Sequence, residues 1–308
     1  MSKVGSRQYA VCKKIVSSMQ YAVCRKTIYS LLPTPYCLLP TVFCLLLTAY
    51  SLLIFSCGGG KEIKVSPEGQ RKAAALINQG HKYYIDGNLS KALGYYKNAL
   101  DLSHTIDFQE GVVKGLNGIG IIKYTNGDTD EAMKDFETAI QISEKINNKI
   151  LLSDSIGNAG KIYSSSGDLE KAMEFYQRSL TIYKEVGYEQ GKAIRLNDIG
   201  MIYKKQGKSD EAIALFNDSL KINESIKNKS EIAVNLSNVG GIYEEKGDLN
   251  KALEFYKNAL EIDKEIEYKR GIAIDLKNIA SIYKTMGKTE EAEDYRQRAE
   301  RIYKILKK

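Results

Sequence analysis

The chain has 308 residues, with 45 Lys and Arg against 38 Asp and Glu, and a formal net charge of +7 at pH 7. Six of the basic residues and no acidic residue lie in the first 56 positions, so the rest of the chain is close to neutral. That balance removes the electrostatic basis for nucleic-acid binding by the main body. All five cysteines lie within residues 12–57, which excludes a disulfide scaffold and a Cys-ligated zinc site from the main body.

Residues 1–56 have the composition of a signal peptide or membrane anchor. No residue in the range 27–60 is charged, and residues 41–55 form an apolar run. The run is short for a membrane span and fits the apolar region of a secretory signal. An uncleaved anchor and a mis-called extension, with the true start at Met19, are open alternatives. Because the basic residues upstream of the run are retained in the cytoplasm, the segment predicts export of the main body.

Cys57 follows the apolar run, with the small residue Ser56 directly before it and Ile54 three positions before it. This spacing resembles the lipobox of bacterial lipoproteins, although Phe55 is larger than the residue usual at its position. The resemblance implies that Cys57 is lipidated, and two acyl chains would give stable membrane anchoring. It also implies a location in the bacterial cell envelope. Residues 57–72 are then predicted to be a flexible tether.

A period of 40 residues runs through residues 73–308. A first glycine column comprises Gly80, Gly120, Gly160, Gly200 and Gly240, and a second comprises Gly87, Gly127, Gly167, Gly207, Gly247 and Gly287. Further columns hold alanine (Ala92, Ala132, Ala172, Ala212, Ala252 and Ala292) and aromatic residues (Tyr96, Phe136, Tyr176, Phe216 and Tyr256). The period defines six units: 73–112, 113–152, 153–192, 193–232, 233–272 and 273–308.

Each unit contains two amphipathic stretches joined by a short turn. In the third unit, small and apolar residues follow the i, i+3, i+4, i+7 spacing of a helix face in both stretches. In the turn, Gly167 is expected to take the left-handed conformation that ends the first helix, and Asp168 to cap the second. The glycine, alanine and aromatic columns are therefore predicted to be core and turn positions, and not a cofactor site.

The order and spacing of these columns resemble the tetratricopeptide repeat, whose usual unit has about 34 residues. The 40-residue unit is similar to the repeats of kinesin light chains and of bacterial peptide-binding regulators. The resemblance implies an all-α, right-handed α-solenoid of six helix-turn-helix units, with the first helix of each unit on the concave inner wall. The added residues, such as 184–189, are expected to prolong the second helix. Arg296 replaces the aromatic residue of the sixth unit, as expected of an end cap.

One column of the first helices, two positions before the first glycine column, faces away from the predicted core. Gly118 is its exception, and the other five members are polar: Asn78, Asn158, Asp198, Asn238 and Asn278. In related repeats an Asn here binds the backbone of an extended peptide, so the resemblance implies a peptide-binding groove. The alternative is that Asn belongs to the repeat itself and binds no ligand. Basic residues predicted to line the same groove are Lys161, Lys204, Lys205 and Lys284.

Sequence motifs for catalysis and for metal binding are missing. The two histidines, His81 and His104, have no third ligand of imidazole or thiol type in the main body, so no metal site is expected. No phosphate-binding glycine loop, nucleophile elbow or kinase signature is present, so no cofactor and no enzymatic activity are expected. The predicted function is a membrane-anchored scaffold that binds a peptide or partner protein and takes part in envelope assembly. A cytoplasmic sensory or regulatory module with a mis-called leader is the alternative.

Overall fold

The computed structural model describes residues 66–306, and this part of the chain consists of helices and short turns. Its twelve helices are α1 (Pro67–Ile85), α2 (Leu89–Thr105), α3 (Gln109–Asn126), α4 (Thr129–Lys145), α5 (Lys149–Ser166), α6 (Leu169–Val186), α7 (Glu189–Lys205), α8 (Ser209–Ser225), α9 (Lys229–Glu245), α10 (Leu249–Glu265), α11 (Lys269–Thr285) and α12 (Thr289–Leu306). Each odd-numbered helix packs against the even-numbered helix that follows it. Six consecutive helix pairs confirm the predicted all-α solenoid.

The N-terminal boundary of the solenoid differs from the prediction. Helix α1 begins at Pro67, so a flexible tether over residues 57–72 is wrong for the last six of them. Proline suits the first turn of a helix because its missing N–H would have no partner there. Ser66 caps the helix, since its Oγ accepts a hydrogen bond from the Gly69 N–H at 3.0 Å. The predicted leader and Cys57 lie outside the described residues.

The added residues of the 40-residue unit are distributed differently from the prediction. Within the segment 184–189, α6 ends at Val186 and α7 already begins at Glu189. The segment therefore contributes to both helices and to the turn between them, rather than prolonging the second helix alone. For the same reason the predicted unit starts, such as Val113, lie inside the first helices, since α3 begins at Gln109.

The turn within each unit has the geometry predicted from its glycine. Gly167 has a φ of +88°, in the left-handed region that glycine adopts without steric cost. Asp168 then caps α6, because its Oδ1 accepts a hydrogen bond from the Lys171 N–H at 3.1 Å. Asn88 and Asp248 cap their helices in the same way. Asp128, in the same column, makes no side-chain capping bond.

The turn between units also contains one residue with left-handed backbone, and here the residue is usually not glycine. Non-glycine residues rarely adopt this conformation because their Cβ approaches the backbone. The five positions are Asp107, Asn147, Gly187, Lys227 and Glu267, with φ values of 53°, 53°, 68°, 57° and 56°. Four of the five inter-unit turns therefore carry backbone strain that the glycine turns within units do not.

The core of each of the first five units contains an aromatic ring of the second helix packed over a glycine of the first. A Cβ added at Gly160 would lie 2.8 Å from Cε1 of Tyr176, so only glycine leaves room for the ring. Tyr176 is 3% exposed. Equivalent contacts join Gly80 to Tyr96, Gly120 to Phe136, Gly200 to Phe216 and Gly240 to Tyr256. The predicted assignment of these columns to the core is confirmed.

The odd-numbered helices form the inner wall, as predicted for the first helix of each unit. Each of them also packs against the odd-numbered helix of the next unit, whereas in residues 66–306 the even-numbered helices make no comparable contact with each other. The closer approach of the odd-numbered helices places them on the concave side. The curvature brings the two ends of the array together, because a Cβ at Gly87 would lie 3.5 Å from Cβ of Leu306.

Candidate functional site

All five polar members of the predicted column lie on the inner wall. Asn78 is exposed, and Asn158, Asp198, Asn238 and Asn278 are half-buried. The exception, Gly118, has a structural explanation. A Cβ at Gly118 would lie 2.6 Å from Cδ1 of Tyr96, so an Asn there would overlap the ring.

Two of the predicted asparagines hydrogen-bond to the preceding first helix. The amide of Asn158 donates to Oδ1 of Asn117 on α3 at 3.3 Å, and that of Asn238 donates to Oδ1 of Asn197 on α7 at 2.8 Å. Each bond leaves one amide N–H and the carbonyl oxygen of the predicted residue available. Asn117 and Asn197 were missed by the sequence analysis. Their signal is a second amide column, one position before the predicted column, which holds Asn in the second and fourth units.

The network around Asn117 and Asn197 reaches into the interfaces between units. The amide of Asn117 donates to Oγ of Ser155 on α5 at 2.9 Å. The amide of Asn235 on α9 donates to Oδ1 of Asn197 at 3.3 Å. The first helices of neighbouring units are thus joined by side-chain bonds as well as by packing.

Asn78 and Asn278 differ from the other two asparagines of the column. Neither makes a side-chain hydrogen bond to any residue in the range 66–306. Asn78 lies on α1 and Asn278 on α11, at opposite ends of the inner wall. Both amide groups are free to bind a ligand at both their donor and acceptor atoms.

Asp198 is held by an ion pair. Its Oδ2 lies 3.0 Å from Nη2 of Arg195, one turn earlier on α7. Arg195 is 4% exposed and fills a space that only glycine leaves, because a Cβ at Gly157 would lie 1.6 Å from its Nη1. Its guanidinium also lies over the ring of Tyr176, with Cζ 5.5 Å from the ring centroid. The carboxylate of Asp198 therefore has a structural partner with which any ligand must compete.

Acidic and basic side chains from several helices lie close to one another in the middle of the inner wall. Burial raises the pKa of Asp154, although the Tyr183 hydroxyl, which donates to Asp154 Oδ1, and the charges of three nearby cations oppose that rise. Those cations are Arg195, Lys114 and Lys161. Burial also raises the pKa of Glu231 on α9; Asp198 adds to the rise, and Lys161 and Arg195 oppose it. Charges from α3, α5, α7 and α9 therefore share one electrostatic environment.

The four predicted lysines fall into two groups. Lys204 pairs with Glu245 at 3.2 Å, and Lys205 donates to the Ser164 carbonyl at 2.7 Å. Lys161 and Lys284 make no ion pair with residues of the described range. Lys161 is half-buried and Lys284 is exposed. Two of the predicted lysines are therefore available to a ligand.

Lys161 lies at a cavity of about 210 Å³ between the first three units. The cavity is lined mainly by aromatic and apolar side chains: His81, Tyr84, Tyr96, Ile121, Tyr124, Thr125, Phe136, Asn158 and Lys161. A cavity of about 150 Å³ holds a benzene molecule in another protein, so this one has room for an apolar side chain. Tyr84 and Tyr124 occupy positions that hold Ser164, Lys204, Glu244 and Lys284 in later units. The aromatic character is thus confined to the N-terminal part of the wall.

Among residues 66–306, no three His, Cys, Asp or Glu side chains are grouped so that they could hold a metal ion. None of the helices α1 to α12 combines the length and the apolar character that crossing a membrane requires.

Comparison with protein-family models gives matches described as tetratricopeptide repeat over residues 112–185, 195–226 and 231–305. No curated protein matches the sequence. Among solved structures, BtubC (BKLC) from P. vanneervenii is 19% identical, with a TM-score of 0.54, over 79% of this chain and 93% of that one. A Rap protein complexed with competence and sporulation factor is 18% identical, with a TM-score of 0.64, over 79% of this chain and 66% of that one. The Rap conjugation gene regulator of plasmid pLS20, in complex with the Phr* peptide, is 16% identical, with a TM-score of 0.56, over 76% of this chain and 73% of that one.

Proposed function

Because the chain belongs to the tetratricopeptide repeat family, we propose that it is a non-catalytic scaffold that binds an extended peptide, or an extended segment of a partner protein, along its inner wall. The observation that carries the proposal is the polar column that recurs along this wall in five of the six units. An extended backbone presents N–H and C=O groups at regular intervals. Side-chain amides can donate to and accept from these groups.

The availability of each amide indicates where a ligand is bound most directly. Asn78 and Asn278 are free at both amide atoms, whereas Asn158 and Asn238 each use one N–H within the protein. The cavity beside Lys161 lies between Asn78 and the centre of the wall and takes up one apolar side chain of the bound segment. Lys161 then faces a polar or acidic neighbour of that side chain.

The solved relatives support a peptide as the ligand. The pLS20 conjugation gene regulator was solved with the Phr* peptide bound, and its fold is shared by this chain. The same likeness favours a second candidate, a peptide-responsive regulatory module in the cytoplasm. In that case the leader is a mis-called extension, and the inner wall binds the same class of ligand, an extended peptide.

For the cellular location, we propose the bacterial envelope, with the repeats exported and anchored through Cys57. The support is the basic and then apolar leader, followed by the Ser56-Cys57 pair. An anchored scaffold of this kind would serve the assembly of envelope proteins.

Selection of peptides from a random display library on the purified full-length chain tests the proposed binding. The affinity of a selected peptide is then measured for wild type and for the variant Asn78→Ala/Asn278→Ala/Lys161→Ala. We expect binding to weaken by about 2 kcal/mol, at about 0.5–1.5 kcal/mol for each neutral hydrogen bond. Asn258→Ala, an exposed Asn on the second helix α10, is the matched control and leaves the affinity unchanged. Equal affinity for the triple variant and wild type contradicts the proposal.

A further inference from the structure

Polar side chains that are twelve residues apart in sequence meet across the interfaces between units. Asn223 of α8 and Asn235 of α9 are both buried, and the amide of Asn223 donates to Oδ1 of Asn235 at 2.9 Å. At the next interface the equivalent positions are Asp263 of α10 and Asp275 of α11, which are 4% and 2% exposed. Two carboxyl groups therefore replace a hydrogen-bonded pair of amides.

The space for this acidic pair is built into the interface. A Cβ at Gly271 would lie 1.7 Å from Oδ2 of Asp263, so glycine makes room for that carboxyl group. The Ser237 hydroxyl donates to Oδ1 of Asp275 at 2.5 Å. Oδ1 of Asp263 and Oδ2 of Asp275 are buried and have no hydrogen-bond partner in the range 66–306. A buried carboxylate with an unbonded oxygen is costly, and protonation removes the charge and adds a donor.

No cation is among the groups that shift the pKa of either aspartate. The titratable and charged groups around the pair are Tyr84 of α1, Glu231, Glu244 and Glu245 of α9, Tyr256 of α10, Tyr268 and Arg270 at the start of α11, and Tyr295 and Tyr303 of α12. Arg270 is the one cation in this set, and its charge lowers the pKa of Tyr268. Burial is what raises the pKa of Asp263, whereas Asp275 is affected by burial and by the charge of Asp263.

Both carboxyl groups consequently titrate near neutral pH. Burial raises the pKa of Asp263 to about 6. Burial raises the pKa of Asp275 to about 7; the charge of Asp263 adds to this rise, and the bond from Ser237 opposes it. In the unfolded chain both would titrate near 3.9. Because the folded values are the higher ones, their stabilising contribution is complete below about pH 4 and is lost as the pH rises through 6 and 7.

We propose that Asp263 and Asp275 form a pH-responsive joint, which holds the sixth unit against the fifth when the carboxyl groups are protonated and loosens it when both are ionised. Asn278 and Lys284 lie on α11, the helix that this joint releases. Loosening therefore changes the C-terminal part of the inner wall, whichever ligand the wall binds.

Hydrogen–deuterium exchange of the full-length chain at pH 5 and pH 8, corrected for intrinsic exchange, tests the joint. The comparison is with Asp263→Asn/Asp275→Asn, which reproduces the Asn223–Asn235 pair of the preceding interface. We expect the protection of α11 in wild type to fall by about tenfold or more between the two pH values, relative to the variant, since one unit of pKa shift is a factor of ten. The same pH dependence in both proteins would overturn the proposal.

A transplant provides a second, independent test. Asn223→Asp/Asn235→Asp moves the acidic pair one unit earlier, and we expect it to make the protection of α9 decrease between pH 5 and pH 8. If the double Asn variant fails to fold at both pH values, Asp275→Asn, which removes one ionisation, is compared in its place. If the protection of α11 decreases between pH 5 and pH 8 as much in Asp275→Asn as in wild type, the proposed joint would also be overturned.

Discussion

The amide of Asn238 on α9 donates to Oδ1 of Asn197 on α7 across 2.8 Å, and this bond joins the first helices of two successive units. The residue that the repeat pattern marks as a ligand contact therefore also stabilises the array. Asn158 is bonded to Asn117 in the same way. The proposed ligand contacts and the contacts between units therefore involve the same column, and single members of it separate the two roles.

Substitution of Asn238 and of Asn278 by Ala should affect stability differently. Asn238→Ala removes a half-buried inter-helix bond and should lower the free energy of unfolding by about 1 kcal/mol. Asn278→Ala removes no bond within the described range, and because Ala is the better helix former its stability should be unchanged or slightly higher. Urea denaturation followed by circular dichroism measures both values. A loss of stability in Asn278→Ala as large as that in Asn238→Ala would show that both residues are structural.

The ion pair of Asp198 should be structural. Asp198→Asn leaves the buried guanidinium of Arg195 without its partner 3.0 Å away, and we expect a loss of about 2 kcal/mol. The matched control is Asp218→Asn, which breaks an exposed pair with Lys221 of the same spacing and should cost less than about 0.5 kcal/mol. Denaturation midpoints that coincide for the two variants would contradict this assignment.

Substitutions at two turn residues with left-handed backbone should change the stability of the protein in opposite directions. Gly167→Val forces a β-branched residue to a φ of +88° and should cost about 2 kcal/mol or more. Glu267→Gly relieves a φ of +56° and should stabilise the protein by up to about 1 kcal/mol, less the entropy that glycine loses on folding. Gly94→Ala, in the middle of α2 with no atom within 4 Å of the new Cβ, is the control for helix propensity and should also stabilise. Thermal melting distinguishes the three; an unchanged melting temperature for Gly167→Val would refute the turn assignment.

The sequence predicted the repeat much better than it predicted the site. Gly160 and Tyr176 could be assigned to the core because their roles recur at a fixed spacing, and the contact between them is the same in five units. The column at Asn158 was found for the same reason. The hydrogen bond between Asn158 and Asn117 could not be predicted in this way. Asn117 belongs to another unit, and an Asn recurs at its repeat position only as Asn197. Arg195 was missed because each unit has a different residue at its position, so periodicity carries no signal there.

Helix boundaries were also beyond what the period defines. A 40-residue repeat has no marked starting point, and the division of residues 184–189 between α6 and α7 depends on the turn at Gly187. That turn contains glycine in only one of five interfaces. At Lys227 and Glu267 the left-handed backbone accompanies bonds that close the preceding helix, from Asn228 N–H to the Asn223 carbonyl and from Tyr268 N–H to the Asp263 carbonyl, both at 2.8 Å. No glycine marks these positions in the sequence.

The proposed anchor predicts the behaviour of one substitution in the leader. If Cys57 carries the lipid, Cys57→Ser should move the protein from the membrane fraction to the soluble fraction. Metabolic labelling with palmitate should be lost at the same time. Continued membrane association with an uncleaved leader would favour a transmembrane anchor. A soluble wild-type protein would favour the cytoplasmic regulatory module.

Site-specific photo-crosslinking tests the central claim, binding on the inner wall, most directly. Met201 on the first helix α7 is half-buried and occupies the repeat position of Lys161, which lines the cavity of the inner wall. A benzophenone amino acid replaces Met201 and, in a separate protein, Asn258 on the second helix α10, and each protein is irradiated with a display-selected peptide. Binding along the inner wall predicts a crosslink from position 201 that unlabelled peptide competes away, and none from position 258. A competable crosslink from position 258, with none from position 201, would place the ligand on the outer face and contradict the account.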